Sequence, residues 1–310
     1  MAGVALLAAA CGGTVSPFPG STGTLPIGTF SSALSPGLTT PNTPPPGSNV
    51  AGCALSVAHP YPVVLVHATF DNEALNWAAL SPMLANAGYC VFSFDYGQDA
   101  SSAVGGLNIF YGLGEIGASA GQLATEVDSV LAETGASQVD LVGHSQGGMM
   151  PRYYLNNLGG AAKVHQFVAM APSSHGTTVG GLTSLVTTFS SLGFDVNGAL
   201  SSLVGPSLAE QEAGSPFLTA LDAGGDTVPG PSYVVIETDN DAVVTPYQTA
   251  FLTGPNVQNV LIQNQCPADT VGHVGITYDQ VALDDVLNAL GPDLANYQPS
   301  CASSGFGMSV

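Results

Sequence analysis

Basic residues are almost absent from this chain, which has 2 Lys and Arg residues against 22 Asp and Glu among its 310 residues. The formal net charge is therefore −20, although charged residues make up only 8% of the chain, against about 25% in average soluble domains. A surface without positive patches offers no electrostatic attraction to the phosphates of nucleic acids or to an anionic membrane. The composition therefore predicts no nucleic-acid partner and favours a neutral substrate.

The chain also lacks long apolar runs and the usual spacings of metal ligands. No apolar segment reaches the roughly 20 residues that a membrane-spanning helix requires, so we expect no transmembrane segment. Neither Cys-x-x-Cys nor His-Glu-x-x-His occurs, and the acidic pairs are too sparse for a calcium loop. We therefore expect neither a metal nor a cofactor.

Residues 1–11 are typical of an export signal, because a short apolar stretch ends in small residues just before Cys11. This ending resembles a bacterial lipoprotein signal, in which the cysteine is lipidated, although no Lys or Arg precedes it. The alternative is cleavage by an ordinary signal peptidase. Either way we expect a secreted protein, which would be anchored to the cell envelope through Cys11 if that cysteine is lipidated.

Four cysteines remain for disulfide bonds in an exported protein, and they allow three pairings: Cys53, Cys90, Cys266 and Cys301.

Residues 12–50 consist almost entirely of Ser, Thr, Gly and Pro and carry no charge. This composition predicts a flexible, partly polyproline spacer. The alternative is that the segment packs along the domain surface. We expect one catalytic domain over residues 51–301, followed by a tail over 302–310.

Apolar runs that read as strands alternate with segments of helical periodicity. The run at 63–66 is continuously apolar and β-branched, as in a strand buried on both faces of a parallel sheet. The rhythm breaks over 172–230, where apolar residues mix with Ser, Thr and Gly. We expect an α/β fold with a mostly parallel sheet, helices on both faces and a small cap insertion at about 172–230. The predicted strands cover 63–66, 90–95, 139–142, 164–170, 233–236 and 257–262.

The chain is organised around a Gly-x-Ser-x-Gly pattern with Ser145 at its centre. A buried strand precedes the pattern and a helix follows it, which is the context of a nucleophile elbow. The flanking Gly143 and Gly147 have a mechanical reason, because side chains there would collide with the neighbouring strand and helix. The alternative is an incidental glycine-rich turn.

A serine nucleophile needs a base, and the base needs an acid to orient it. Loops that follow later strands carry both groups, in the order Ser145, Asp241, His273 that α/β-hydrolases require. Asp239 is the alternative acid, but the spacing from Asp241 to the next apolar anchor favours Asp241. His273 is preferred over the other five histidines because it follows the last strand in a Gly-flanked loop.

The negative oxygen of a tetrahedral intermediate needs hydrogen-bond donors in place beforehand. One donor is the backbone N–H of Gln146, the residue after the nucleophile. The second is expected in the loop after the first strand, at Thr69, whose hydroxyl adds a third donor. The alternative for Thr69 is an ordinary surface loop residue.

Several motifs in order resemble the class 2 bacterial lipases, which are extracellular α/β-hydrolases acting on acylglycerols, and more weakly the fungal lipase B-type enzymes. The resemblance spans about 53–292 and implies the triad Ser145, Asp241 and His273, with Thr69 and Gln146 in the oxyanion hole. The cysteine placement of lipase B-type enzymes implies the pairs Cys53–Cys90 and Cys266–Cys301. The family usually has glycine where this chain has Ala68, so a positive φ at this position would strain the loop. The motifs lie at 63–67, 143–154, 171–178, 238–247 and 272–273.

These observations predict a serine-dependent carboxylic ester hydrolase, a triacylglycerol lipase or esterase that is a monomer and acts on a neutral acyl ester or lipid. Apolar residues at 182–194 and 199–208 would line an acyl groove or form a lid, unless they simply pack onto the core. The same triad would also cleave polyesters. An alternative of another class is a non-catalytic surface binding module with this fold.

Overall fold

The structure of the protein is a computed structural model, and it describes residues 24–191, 205–291 and 297–301. The strands form one parallel sheet in the order β2-β1-β3-β4-β5-β6. The predicted α/β-hydrolase fold, with a parallel sheet covered by helices, is confirmed. The strands are β1 Val63–Val66, β2 Val91–Phe94, β3 Val139–His144, β4 Val164–Met170, β5 Ser232–Glu237 and β6 Val257–Leu261.

Helices follow the strands along the chain and supply the outer layers. None of those that the structure describes is long and apolar enough to cross a bilayer. The longest, α4, ends where Gly135 takes a left-handed conformation at φ 69°, which glycine adopts without strain. The α-helices are α1 Phe30–Thr39, α2 Glu73–Asn76, α3 Leu80–Asn86, α4 Ile116–Thr134, α5 Gln146–Asn157, α6 Val179–Ser191, α7 Ser207–Glu210, α8 Pro216–Asp222, α9 Ile262–Gln265 and α10 Gln280–Leu290.

The sheet is buried on both faces because alternate residues of its strands enter different cores. In β1, Val63 and Leu65 pack with α3 and α10, whereas Val64 and Val66 pack with α4 and α5. All four side chains have no exposed area. This burial explains why the central strands are continuously apolar rather than alternating.

The prediction of a flexible spacer is wrong for residues 24–50, which pack on the domain as the alternative proposed. Here α1 begins with a capping box between Thr29 and Ser32. A Cβ at Gly37 would lie 2.8 Å from the Leu75 Cβ, so only glycine lets α1 approach α2 this closely. The small residues that suggested disorder are those that permit close packing. Residues 1–11, residues 12–23 of the predicted spacer and the tail over 302–310 lie outside the described residues.

Several element boundaries differ from the predicted ones. The segment of helical periodicity between the first two predicted strands forms two helices, α2 and α3. The last strand stops at Leu261, because Ile262 begins α9. The described parts of the predicted cap form α6, α7 and α8, whereas the apolar residues predicted within 192–204 lie outside the described residues.

Two disulfide bonds join Cys53 to Cys90 and Cys266 to Cys301. The pairing that the family resemblance implied is therefore confirmed. The first bond fastens the chain entering the sheet to the residue before β2. The second fastens the end of α9 to the C-terminal segment.

Candidate active site

Ser145 stands at a sharp turn between β3 and α5. Its backbone is at φ 56° and ψ −119°, a strained conformation for a residue with a side chain. Its N–H donates to the Met170 carbonyl at 3.0 Å, which holds the turn against the end of β4. The strained turn places the hydroxyl at the carboxyl edge of the sheet, where parallel strands bring their following loops together.

The two glycines of the elbow are required by close backbone approach. A Cβ at Gly143 would lie 1.8 Å from the Gly147 carbonyl oxygen, and one at Gly147 would lie 2.1 Å from that of Val66. Neither contact involves a flexible side chain that could move aside. The mechanical reason predicted for both glycines is confirmed by these distances.

The side chains of Ser145, His273 and Asp241 form a hydrogen-bonded chain. His273 Nε2 lies 2.9 Å from Ser145 Oγ, and His273 Nδ1 lies 2.7 Å from Asp241 Oδ2. The other carboxylate oxygen of Asp241 accepts the N–H groups of Val243 and Val244, each at 2.7 Å. The two N–H donors hold the carboxylate in one orientation. The side chains of Ser145, His273 and Asp241 are all buried.

The hydrogen bonds determine which proton each group carries. A carboxylate only accepts, so His273 Nδ1 carries the hydrogen and Nε2 is left to accept the Ser145 proton. Beside Asp241 lies Glu237, whose pKa is raised well above its ordinary value by burial and then by the Asp241 charge. Glu237 therefore holds its proton, and the carboxyl pair carries one negative charge rather than two.

The alternative acid and the competing histidines lie elsewhere. Asp239 is exposed on the same loop. The side chain of His67 is fully buried, and desolvation lowers its pKa to about 4, so it stays neutral. His165 pairs with Asp140 at 2.8 Å near the amino ends of β4 and β3, whereas the elbow follows the carboxyl end of β3. His59 packs against a tyrosine ring, with centroids 3.9 Å apart.

His144 links the loop of His273 to the loop after β1. Its Nε2 lies 3.0 Å from the His273 carbonyl, which accepts, so this nitrogen carries the hydrogen. Its Nδ1 accepts from Asn76 Nδ2 at 3.1 Å, and Asn76 Oδ1 accepts the Ala68 N–H at 2.9 Å. Burial, with the neighbouring His273, lowers the pKa of His144 well below its ordinary value. His144 is thus a neutral bridge between the two loops.

The loop after β1 brings Thr69 to the elbow. Its Oγ1 lies 3.1 Å from the side-chain Nε2 of Gln146, and the Thr69 side chain is 1% exposed. Gln146 is the first residue of α5, so its backbone N–H has no partner within the helix. The residue with positive φ in this loop is Phe70, at 60°, and not Ala68. The positive φ that would have strained the loop at Ala68 therefore does not occur at that residue.

A third apolar cluster covers the carboxyl edge of the sheet. It joins residues that directly follow the site, Phe70 and Val243, to side chains of α6 and α7. The Ser145 side chain is 3% exposed beneath this cover. The remaining members are Val104, Phe110, Leu113, Leu182, Leu185, Val186 and Leu208.

One group of side chains has the composition of a metal site, contrary to what the sequence spacing predicted. Ligand atoms of His175, Asp222 and Asp226 lie within 4.8 Å of one another. However, Arg152 Nη2 donates to Asp222 at 2.9 Å and to Asp226 at 3.3 Å. The guanidinium already supplies the positive charge that a cation would bring, so the group is an ion-pair cluster.

Two residues of the site were not identified from the sequence. Glu237 is a carboxyl at the end of an otherwise apolar strand, and this isolated acid was a usable signal. Gln211 contacts Thr69 Oγ1 through its Nε2 at 2.9 Å. It comes from the cap, and no local pattern marks it.

Comparison with known proteins places the chain among lipases. The sequence model of the family described as Lipase (class 2) matches residues 60–283. Aspergillus fumigatus lipase B is similar in structure, with a TM-score of 0.59 and 20% identity over 82% of this chain and 62% of that chain. The mature form of Bacillus licheniformis lipase BlEst2 has a TM-score of 0.54 and 14% identity, over 79% of this chain and 97% of that chain. This chain therefore spans about 62% of the length of the Aspergillus protein. At these identities the structural likeness supports the fold alone.

Proposed function

The chain belongs to the class 2 lipase family, and on this premise we propose that it is a serine-dependent carboxylic ester hydrolase, a triacylglycerol lipase or esterase. Ser145 is the nucleophile, His273 the general base and Asp241 the acid that orients it. The observation that carries the proposal is the continuous hydrogen-bonded chain from Ser145 Oγ through both ring nitrogens of His273 to the Asp241 carboxylate.

Acylation follows from this arrangement. Ser145 Oγ attacks the ester carbonyl carbon while its proton passes to His273 Nε2. The imidazolium that forms is stabilised by the adjacent Asp241 carboxylate, 2.7 Å from His273 Nδ1. When the tetrahedral intermediate collapses, the C–O bond of the alcohol breaks and His273 returns the proton to the leaving oxygen.

Deacylation repeats the steps with water. His273 Nε2 takes a proton from water, the hydroxide attacks the acyl carbonyl, and the proton returns to Ser145 Oγ as the acid leaves. In both halves the carbonyl oxygen becomes negative and needs fixed donors. The backbone N–H of Gln146 and the Thr69 loop supply them, each donor contributing about 2.7–4 kcal/mol to the lowering of the barrier.

The hydrolysis of p-nitrophenyl esters tests the proposal. Ser145→Ala removes the nucleophile and should lower kcat by about 10⁵ to 10⁶, since the triad acts as a unit. Ser174→Ala, a change at another buried serine, is the matched control. Comparable rates for Ser145→Ala and the wild type would refute a serine mechanism.

We propose a neutral acyl ester as the substrate, because the cover over the site is apolar and the chain has so few basic residues. A series of esters from butyrate to palmitate, with an emulsified triacylglycerol, defines the acyl length that the site accepts. A preference for anionic or phosphorylated substrates would contradict this choice.

The protein acts outside the cytoplasm in this proposal, as a secreted monomer. The support is the two disulfide bonds, which persist in oxidising compartments and are rare where thiols are kept reduced. Labelling of free thiols in protein recovered from the native host's medium tests it. The four bonded cysteines should resist alkylation until a reductant is added.

A further inference from the structure

The Thr69 hydroxyl is held by two side-chain amides. Gln146 Nε2 lies 3.1 Å from Thr69 Oγ1, and Gln211 Nε2 lies 2.9 Å from the same oxygen. Gln146 belongs to the elbow, whereas Gln211 follows α7 in the cap, 142 residues along the chain from Thr69. The oxyanion loop is therefore in direct contact with the cap.

Independent contacts determine the orientation of both amides. Gln211 Nε2 also faces the Ser207 carbonyl at 3.3 Å, and Gln211 Oε1 accepts from Ser173 Oγ at 2.9 Å. Gln146 Nε2 faces the carbonyl of Gly112 at 3.0 Å. A carbonyl oxygen can only accept, so reversing either amide would place two oxygens against each other. Both amides thus present N–H groups to Thr69.

A hydroxyl oxygen accepts two hydrogen bonds and donates one. The amides of Gln146 and Gln211 occupy both acceptor positions of Thr69 Oγ1. The hydroxyl hydrogen must then point along the remaining direction, away from both amides. Thr69 is buried beside Gln146, the residue after the nucleophile, on the loop that is predicted to supply an oxyanion donor.

We propose that Gln211 is a positioning residue that, by donating to Thr69, directs the threonine hydroxyl hydrogen into the oxyanion hole. This inference rests on the proposed ester hydrolase function. Gln211 need not touch the substrate. Gln211 acts by preventing Thr69 from donating its hydroxyl hydrogen to a protein acceptor. If Thr69 donated to such an acceptor, the hydrogen would not be available to the oxyanion of the transition state.

The expected effect is on kcat rather than on KM, since the oxyanion forms only in the transition state. Gln211→Leu removes the N–H donor with little change in volume and frees the hydroxyl to rotate. We expect kcat to fall about 10- to 100-fold, which is part of the 10²–10³ that one oxyanion donor contributes, with KM changing less than about threefold. Gln166→Leu, at another largely buried glutamine remote from the elbow, should leave kcat unchanged.

A double-mutant cycle separates this role from general support of the fold. In the Thr69→Val background there is no hydroxyl to orient, so adding Gln211→Leu should lower kcat no further. The same fold loss of kcat in both backgrounds would overturn the proposal. The Ser145→Ala variant tests the proposed function separately. If Ser145→Ala keeps its activity, the proposed serine mechanism fails, whatever Gln211→Leu does.

Gln211→Glu provides a second test that does not depend on removing the side chain. The variant is assayed at a pH at which the introduced, buried carboxyl has lost its proton; the carboxylate then accepts from Thr69, so the hydroxyl hydrogen turns away from the oxyanion position. We expect kcat to fall to about the value of Thr69→Val, and the affinity for a boronic acid transition-state analogue to fall by the same factor. Wild-type kcat in Gln211→Glu would overturn the proposal.

Discussion

Three buried carboxyl groups lie close to one another beside the oxyanion loop, at Asp71, Glu73 and Asp95. Burial raises the pKa of Asp71 to about 8, and the Asp95 charge adds to this shift. Burial likewise raises the pKa of Glu73 to about 7 and that of Asp95 to about 7, although hydrogen bonds from Ser93 and from the Glu73 N–H oppose the rise. We expect this cluster to make the stability of the protein depend on pH.

The sign follows from proton binding. A carboxyl whose pKa is raised keeps its proton in the folded chain at a pH where the unfolded chain has lost it. The stability that it contributes is greatest below the unfolded pKa, near 4, and is lost as the pH rises towards the folded pKa, which is about 8 for Asp71. One such group gives a slope of about 1.4 kcal/mol per pH unit, or about 4 kcal/mol between pH 5 and 8.

Buried histidines have the opposite effect at lower pH. Desolvation lowers the pKa of His67 to about 4 and that of His144 well below its ordinary value, so both cost stability as the pH falls below about 6.5. The carboxyl effect must therefore be read from the difference between two variants, in which the histidine contribution cancels.

Asp71→Asn provides that difference, because the amide resembles the protonated acid and can still accept the Asn72 N–H. Urea unfolding at pH 5, 6, 7 and 8 gives the free energy of unfolding of each variant. The variant's stability relative to the wild type should increase by about 1.4 kcal/mol per pH unit between pH 5 and the folded pKa of Asp71, about 8. Asp239→Asn, at an exposed acid, should stay parallel to the wild type. Parallel curves for Asp71→Asn and the wild type would refute the reasoning.

Two further predictions concern the elbow and the triad. Gly147→Ala forces a Cβ to within 2.1 Å of a backbone oxygen and should lower the free energy of unfolding by about 3 kcal/mol or more, whereas Gly121→Ala, with open space on α4, should raise it by about 0.5–1 kcal/mol. Thermal unfolding of both variants measures this, and equal stabilities would contradict the packing argument. Asp241→Asn should lower kcat about 10⁴-fold, because the amide favours the wrong imidazole tautomer, while Asp239→Asn should change it less than about twofold. A large loss in Asp239→Asn instead would identify it as the orienting acid.

The sequence predicted best those elements whose bounds depend on a few neighbouring residues. The run at 63–66 is apolar because both faces of β1 are buried, and the strand appears at those bounds. The end of α4 at Gly135 is equally local, because this residue takes a left-handed conformation that glycine adopts without strain. The pairing of the two disulfide bonds was expected from the cysteine placement of lipase B-type enzymes and not from any local constraint, since the four cysteines alone allowed three pairings.

The segment before the domain shows where composition misled. Residues around α1 are small and uncharged, which predicted a flexible spacer. Their small size instead lets Gly37 and Ala33 pack against the folded domain. Whether the segment packs depends on the surface that the folded domain offers to it, and the amino-acid composition of the segment carries no information about that surface.

For the candidate site, the proximity of Ser145, Asp241 and His273 was predictable from sequence, because a nucleophile elbow and two strand-end loops each carry their constraints in a few contiguous residues. Only the tertiary structure shows that the Glu237 carboxyl lies beside Asp241, and that Gln211 contacts Thr69, 142 residues away along the chain. Which acid keeps its proton depends on burial and on a neighbouring charge, and which way a hydroxyl turns depends on donors brought from distant segments. Residue types and their spacing thus determine the candidate reacting groups, whereas the folded chain determines their protonation and their hydrogen bonds.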